Sequence, residues 1–195
     1  MPRSDDNREQ LQRFLELSDQ YSLPRSIANS AALIAYEASR MEWVRPGIAL
    51  YGGNPFSACE EKPTSLQAVM TLEAPLAAIN FRRQGAQIGY GGISKLACDT
   101  RVGVVSAGYA DGYPRLAQPG TPVSVNGVLC PTLGRISMDM VCVDLNNAPD
   151  AQAGDRVELW GASVSVDTVA ASAGTISYEL LCNAGTVGLQ RGASN

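Results

Sequence analysis

The chain has 195 residues, a net charge of −4 and 45% hydrophobic content, enough apolar material for one domain or two small ones. Its arginines are scattered, with Arg82-Arg83 the only adjacent pair, so no basic stripe is present to bind nucleic acid. There is no histidine, and the five cysteines (Cys59, Cys98, Cys130, Cys142 and Cys182) form no CxxC pair, which argues against a zinc site and predicts buried or half-buried thiols in a reducing compartment. The N-terminus is polar and acidic without an apolar core, and no apolar run reaches membrane-spanning length. A cytoplasmic protein without a membrane partner is expected.

Residues 6–20 predict a helix, with Asp6 as cap, Glu9 completing a capping box, and Leu11, Phe14, Leu15 and Ser18 on one face. A short strand end over 25–28 follows. Asn29-Ser30 then caps a second helix running to about Arg40. Trp43-Val44-Arg45 and Gly47 to Tyr51 are expected as strand, broken by Pro46. This alternation is an α/β pattern. Residues 1–57 are expected to be one unit, too short to close a fold, because two β-α units cannot cover both faces of a parallel sheet. The chain is therefore expected to be a fragment of something longer.

Residues 58–195 read as a second, mostly β unit. Strand-like runs cover 69–78, 102–105, 123–129, 140–145 and 157–160, with Asn126-Gly127 as a hairpin signal. A short helix over 166–173 is expected, with Asp167 as a possible cap.

Three glycine-bracketed motifs fall within about fifty residues: Gln87-Ile88-Gly89-Tyr90-Gly91-Gly92, Gly108-Tyr109-Ala110-Asp111-Gly112-Tyr113-Pro114-Arg115, and Gly134-Arg135-Ile136-Ser137-Met138-Asp139-Met140. Glycine on both sides of Tyr90 permits close approach by another backbone or a ligand. Without histidine, a phenol is one of the few remaining candidates for proton transfer. Read alone, Gly-Tyr-Gly is also compatible with a packed turn, Ser30 with a plain helix cap, Gly47-Ile48 with an ordinary buried strand and Arg45 with a surface arginine. Asp111 belongs to turn chemistry, with Pro114 fixing the chain beyond it, so Asp111 and Arg115 are expected to be structural. Asp139 is equally compatible with a cap or turn.

These motifs, in order with Arg25 to Ala31, Trp43 to Gly52 and Thr175-Ile176-Ser177-Tyr178-Glu179-Leu180-Leu181-Cys182, resemble the bacterial alanine racemases. The resemblance runs from the first helix to about Asn183. It implies the last units of a TIM-like (β/α)8 barrel that binds pyridoxal 5'-phosphate, followed by a mostly β C-terminal domain. It further implies that Ser30, Gly47, Ile48 and Tyr178 hold the cofactor phosphate, and that Arg45 faces the pyridine nitrogen. A guanidinium keeps its proton, so that nitrogen stays unprotonated and the cofactor is a weaker electron sink. By the same resemblance Tyr90 is catalytic, opposite a lysine and acting in the partner subunit of a homodimer, while Tyr109, Met138 and Asp139 line the substrate side. An ordinary phenol has a pKa near about 10, so it needs a cationic or hydrogen-bonded setting to act as a base.

Two departures qualify the resemblance. Neither lysine, Lys62 or Lys95, lies in the family's Schiff-base lysine motif, and the tail after Asn183 differs in composition. The chain alone is therefore expected to be inactive, with alanine racemisation requiring a homodimeric or complementing barrel subunit. A non-catalytic β-domain dimerisation module, and a racemase for another amino acid, remain open alternatives.

Overall fold

Leu11 is buried on α1 (Asp5–Ser18), and Phe14, Leu15 and Ser18 follow it on the half-buried face, while Gln12, Arg13 and Glu16 are exposed. The computed structural model describes residues 5–56, 63 and 65–184; Cys59, Lys62 and the segment from Gly185 onward lie outside them. Contacts divide the chain into two units, Met1–Val69 and Met70–Asn195. Asp6 does not cap α1, because the helix already includes Asp5; it sits in the first turn, where the helix dipole favours a negative charge.

In the first unit, β1 (Ser26–Asn29) pairs in parallel with β2 (Trp43–Arg45), with Asn29 opposite Arg45. Parallel neighbours need a crossover, and α2 (Ser30–Ala35) supplies it. This helix stops well short of Arg40. Tyr36 leaves helical geometry, and Ser39 donates its hydroxyl to the Ala32 and Tyr36 carbonyls at 3.2 and 2.7 Å, capping the end from a following 3-10 turn. The expected strand over 47–51 is instead a single helical turn, α3 (Gly47–Leu50). A short apolar run such as Gly-Ile-Ala-Leu-Tyr has no periodicity that separates strand from helix.

The second unit is built on a closed six-stranded antiparallel barrel. Its members are β3 (Leu72–Arg82), β6 (Thr100–Val105), β7 (Pro122–Val125), β8 (Val128–Leu133), β9 (Val141–Asp144) and β10 (Arg156–Trp160). They close in the order β10-β3-β6-β9-β8-β7. Alternate residues of β3 are buried through Leu72, Ala74 and Leu76. With Val105, Val123, Val125, Val141, Val143, Val157 and Leu159 they form one core. Each large aliphatic side chain fully buried there contributes about 1.5–3 kcal/mol. Closure pairs every barrel edge.

Asn126 and Gly127, with φ of 50° and 82°, make the tight turn between β7 and β8 that the sequence signalled. A separate two-stranded ladder, β4 (Gln87–Ile88) with β5 (Ser94–Lys95), projects between β3 and β6. Two helices, α4 (Val166–Ala173) and α5 (Ser177–Asn183), follow the barrel. Ser165, and not Asp167, caps α4: its hydroxyl accepts the Asp167 N–H at 3.2 Å. The α5 helix was not expected from the sequence.

The thiols divide differently from expectation. Cys130 is buried and Cys142 half-buried, but Cys98 and Cys182 are exposed, each lying in a loop or on the outer face of a helix.

Candidate active site

Tyr90 is carried by the five-residue loop between β4 and β5, in a short 3-10 turn, and its side chain is 73% exposed. Gly89, Gly91 and Gly92 all have positive φ. The loop's stem is fixed from below. Ile88 is buried in a small cluster with Leu96 and Val102, against which Leu133 packs.

The third motif backs onto this loop. A Cβ on Gly89 would lie 2.8 Å from the Arg135 nitrogen and 3.0 Å from the Gly134 Cα. The two chains therefore touch backbone to backbone, with no room for a side chain between them. Ser94, opposite Ile88 in the ladder, accepts the Gly134 N–H at 2.8 Å.

The same motif also holds the second one. The Tyr109 N–H donates to the Ser137 carbonyl at 3.0 Å, and the Ala110 N–H to the Met138 carbonyl at 2.9 Å. A Cβ on Gly108 would meet the Met138 carbonyl oxygen at 2.2 Å, so glycine is required for this approach. Asp111 closes the turn by accepting the Gly108 N–H at 2.8 Å, in keeping with a structural role. Tyr109 is partly exposed, Met138 and Asp139 are exposed, and Asp139 lies in a bend. Residues 134–140 are thus a crosspiece between the Tyr90 hairpin and the Tyr109 turn.

Beside Tyr109, a cleft of about 550 Å³ is lined by Tyr113, Arg115, Thr175, Glu179 and Asn183 among others. It brings Thr175 and Glu179 next to the second motif. Tyr178 lies on α5, partly exposed, and burial raises its phenol above the ordinary tyrosine value. Such a hydroxyl keeps its proton near neutral pH and can donate it in a hydrogen bond.

In the first unit, Ser30 is buried at the first position of α2. Asn29 is the cap, its side chain accepting the Ala32 N–H at 2.9 Å. The Ser30 hydroxyl is thereby left to meet α3, where it accepts the Ala49 N–H at 3.2 Å. The first amides of a helix have no intrahelical acceptor, and Pro46 gives α3 no side-chain cap. Among the described residues, nothing lies within 4 Å of where a Cβ on Gly47 would stand. Ser30, Gly47 and Ile48 are in this way brought together around an open helix start. Arg45 leans across the parallel pair and donates to the Ser26 hydroxyl at 2.8 Å and the Ile27 carbonyl at 3.2 Å.

Tyr90, Tyr109, Met138 and Asp139 therefore belong to one assembly of turns, with Tyr178 on a separate helix of that unit. Ser30, Arg45, Gly47 and Ile48 form a second group in the other unit. Lys95 is exposed on β5. Ser94 gave no signal in the sequence, since its role depends on a glycine 40 residues away.

Comparison with known proteins finds family matches in both parts of the chain. Residues 1–55 match the model of the alanine racemase N-terminal domain, and residues 69–190 that of the C-terminal domain. The chain is 46% identical over 175 residues to the catabolic alanine racemase of Klebsiella aerogenes, covering 89% of this chain and 49% of that protein. It is 51% identical over 173 residues to the alanine racemase of Thiobacillus denitrificans, covering 89% and 47%. Among solved structures, the biosynthetic alanine racemase of Pseudomonas aeruginosa superposes with a TM-score of 0.86 at 45% identity, over 93% of this chain and 51% of that one. The alanine racemase of Bartonella henselae, solved with covalently bound pyridoxal phosphate, gives 0.81 at 34% identity, over 93% and 50%. The chain spans about half the length of the relatives it matches. The expected architecture, a barrel portion followed by a mostly β domain, is that of these neighbours. By these matches the chain belongs to the alanine racemase family.

Proposed function

We propose that this sequence forms the phosphate-binding and tyrosine-bearing part of a pyridoxal 5'-phosphate-dependent racemase that interconverts L-alanine and D-alanine in the cytoplasm, supplying D-alanine for peptidoglycan. The observation that best supports this is the crosspiece of residues 134–140, which ties the Tyr90 hairpin and the Tyr109 turn into one assembly.

The residues present fit a phosphate monoester. The buried Ser30 hydroxyl and the backbone amides of Gly47 and Ile48, which have no intrahelical acceptor, suit an anion held by N–H and O–H donors. When bound, the cofactor supplies the electron sink that allows the alanine Cα–H bond to break. Arg45, aligned by Ser26 and Ile27, would hold the ring-nitrogen side of the bound cofactor and would give that nitrogen no proton. Tyr109 and Asp139 border the substrate, and the Met138 amide meets its carboxylate.

Racemisation needs a proton removed from one face of Cα and another delivered to the opposite face. Tyr90 serves one face, acting in a partner barrel. The other face requires a lysine, and neither Lys62 nor Lys95 lies in a matching position. That lysine belongs to barrel strands outside the matched segment, in a homodimer or a complementing barrel subunit.

The test combines this chain with a separately produced barrel half of the Klebsiella aerogenes relative and pyridoxal 5'-phosphate. D-alanine formed from L-alanine is expected only when both parts are present. An assembled, cofactor-loaded complex that forms no D-alanine contradicts the proposal.

A further inference from the structure

A five-residue loop on a ladder of two residue pairs has little stability of its own. Yet Tyr90 sits at the tip of one, and a proton-transfer group works only when it is held close to its target geometry. Something outside the hairpin must therefore fix it. Ile88 and Ser94 are directly opposite in the antiparallel ladder, so their side chains share a face. On that face Ile88 is buried against Leu96 and Val102. Ser94, half-buried beside it, accepts the Gly134 N–H at 2.8 Å.

Gly134 lies one residue beyond the end of β8, where its amide has left the barrel ladder. Among the described residues, this is the one hydrogen bond joining the β4–β5 hairpin to residues 134–140. The crosspiece continues directly to Ser137 and Met138, which hold Tyr109 and Ala110.

We infer that Ser94 is a positioning residue, latching the Tyr90 hairpin to the Gly134–Met138 loop so that Tyr90, Tyr109 and the Met138 amide are held as one unit. Ser94 acts through the hairpin and not on the substrate. The inference rests on the proposed role of Tyr90, but the latch itself is a separate property of this chain. Removal of the hydroxyl leaves the Gly134 amide without its acceptor, whereas threonine retains the oxygen.

The experiment compares native-state amide exchange in the full chain with that of Ser94→Ala and Ser94→Thr. In Ser94→Ala, exchange at Gly134 and through residues 87–95 is expected to rise about tenfold, the scale of one lost hydrogen bond. Amides of β6 and β9 keep their protection, and Ser94→Thr keeps Gly134 slow. In the racemising complex described above, Ser94→Ala is expected to lower kcat about tenfold, with KM for alanine little changed. Unchanged exchange at Gly134, an equal rise throughout the barrel, or an unchanged kcat overturns the inference. A wild-type complex that does not racemise counts against the functional proposal, and the exchange at Gly134 then decides the latch.

Discussion

Gly89 and Gly134 meet backbone against backbone: a side chain on Gly134 would come within 2.8 Å of the Ile88 carbonyl oxygen and 3.0 Å of the Gly89 Cα. Gly134 also has a φ of +69°, a conformation that L side chains rarely adopt. Gly134→Ala is therefore expected to cost about 1–3 kcal/mol and to separate the hairpin from the crosspiece. Thermal unfolding gives the first effect. Faster amide exchange confined to residues 87–95 gives the second.

Arg101 clamps the loop after β9. Its guanidinium donates to the carbonyls of Ala148 at 3.2 Å and Ala151 at 2.9 Å, and also to that of Pro149. A lysine ammonium lacks the planar fork that reaches three carbonyls at once. Arg101→Lys is expected to lose about 1–3 kcal/mol in denaturant unfolding, with Arg101→Ala at least as destabilised.

Tyr113 and Trp160 stack in the core with ring centroids 5.9 Å apart. The Tyr113 hydroxyl and the Trp160 indole nitrogen are both buried with no hydrogen-bond partner among the described residues, and burial pushes the Tyr113 phenol far above its ordinary value. Since an orphaned polar group opposes folding, Tyr113→Phe should be neutral or stabilising by up to about 1–2 kcal/mol. A comparison of unfolding midpoints with the wild type checks it.

Asp155 accepts the Gln152 N–H at 2.8 Å and the Asn126 side-chain amide at 2.6 Å, and these bonds lower its pKa. A lowered folded-state pKa adds stability above the ordinary aspartate pKa, and that contribution disappears as pH falls through the lowered value. The stability advantage of wild type over Asp155→Asn should therefore be constant near neutrality and shrink only below about pH 4. Urea unfolding of the two proteins across pH 2–7 (roughly the range in which carboxylates titrate) measures the difference.

Much of the second unit was legible because its strands carry local signals. Leu72, Ala74 and Leu76 alternate inward, and Asn126-Gly127 admits few conformations other than the hairpin turn it makes. The structure departs from the local reading where local signals compete. Gly47 to Tyr51 is apolar throughout, so nothing in it distinguishes a strand from the helical turn it forms. Ser165 and Asp167 are both good caps, and only the geometry selects Ser165. Barrel closure depends on β10 pairing with both β3 and β7, which no window of sequence contains. The site divides in the same way. Each glycine motif stands out alone, but the contact of Gly89 with Gly134 and of Gly108 with Met138 is a property of the fold. Ser94 is a common residue type in an unremarked place, and only its distance to the Gly134 amide marks it.

The proposed division of labour between Tyr90 and an opposing lysine is most directly tested by Tyr90→Phe in the racemising complex in deuterium oxide. Loss of the phenol should abolish inversion, by at least about a hundredfold. The α-proton of one alanine enantiomer should still exchange for deuterium with retained configuration, because the opposite face keeps its base. A Tyr90→Phe complex that inverts alanine at the wild-type rate would contradict the account.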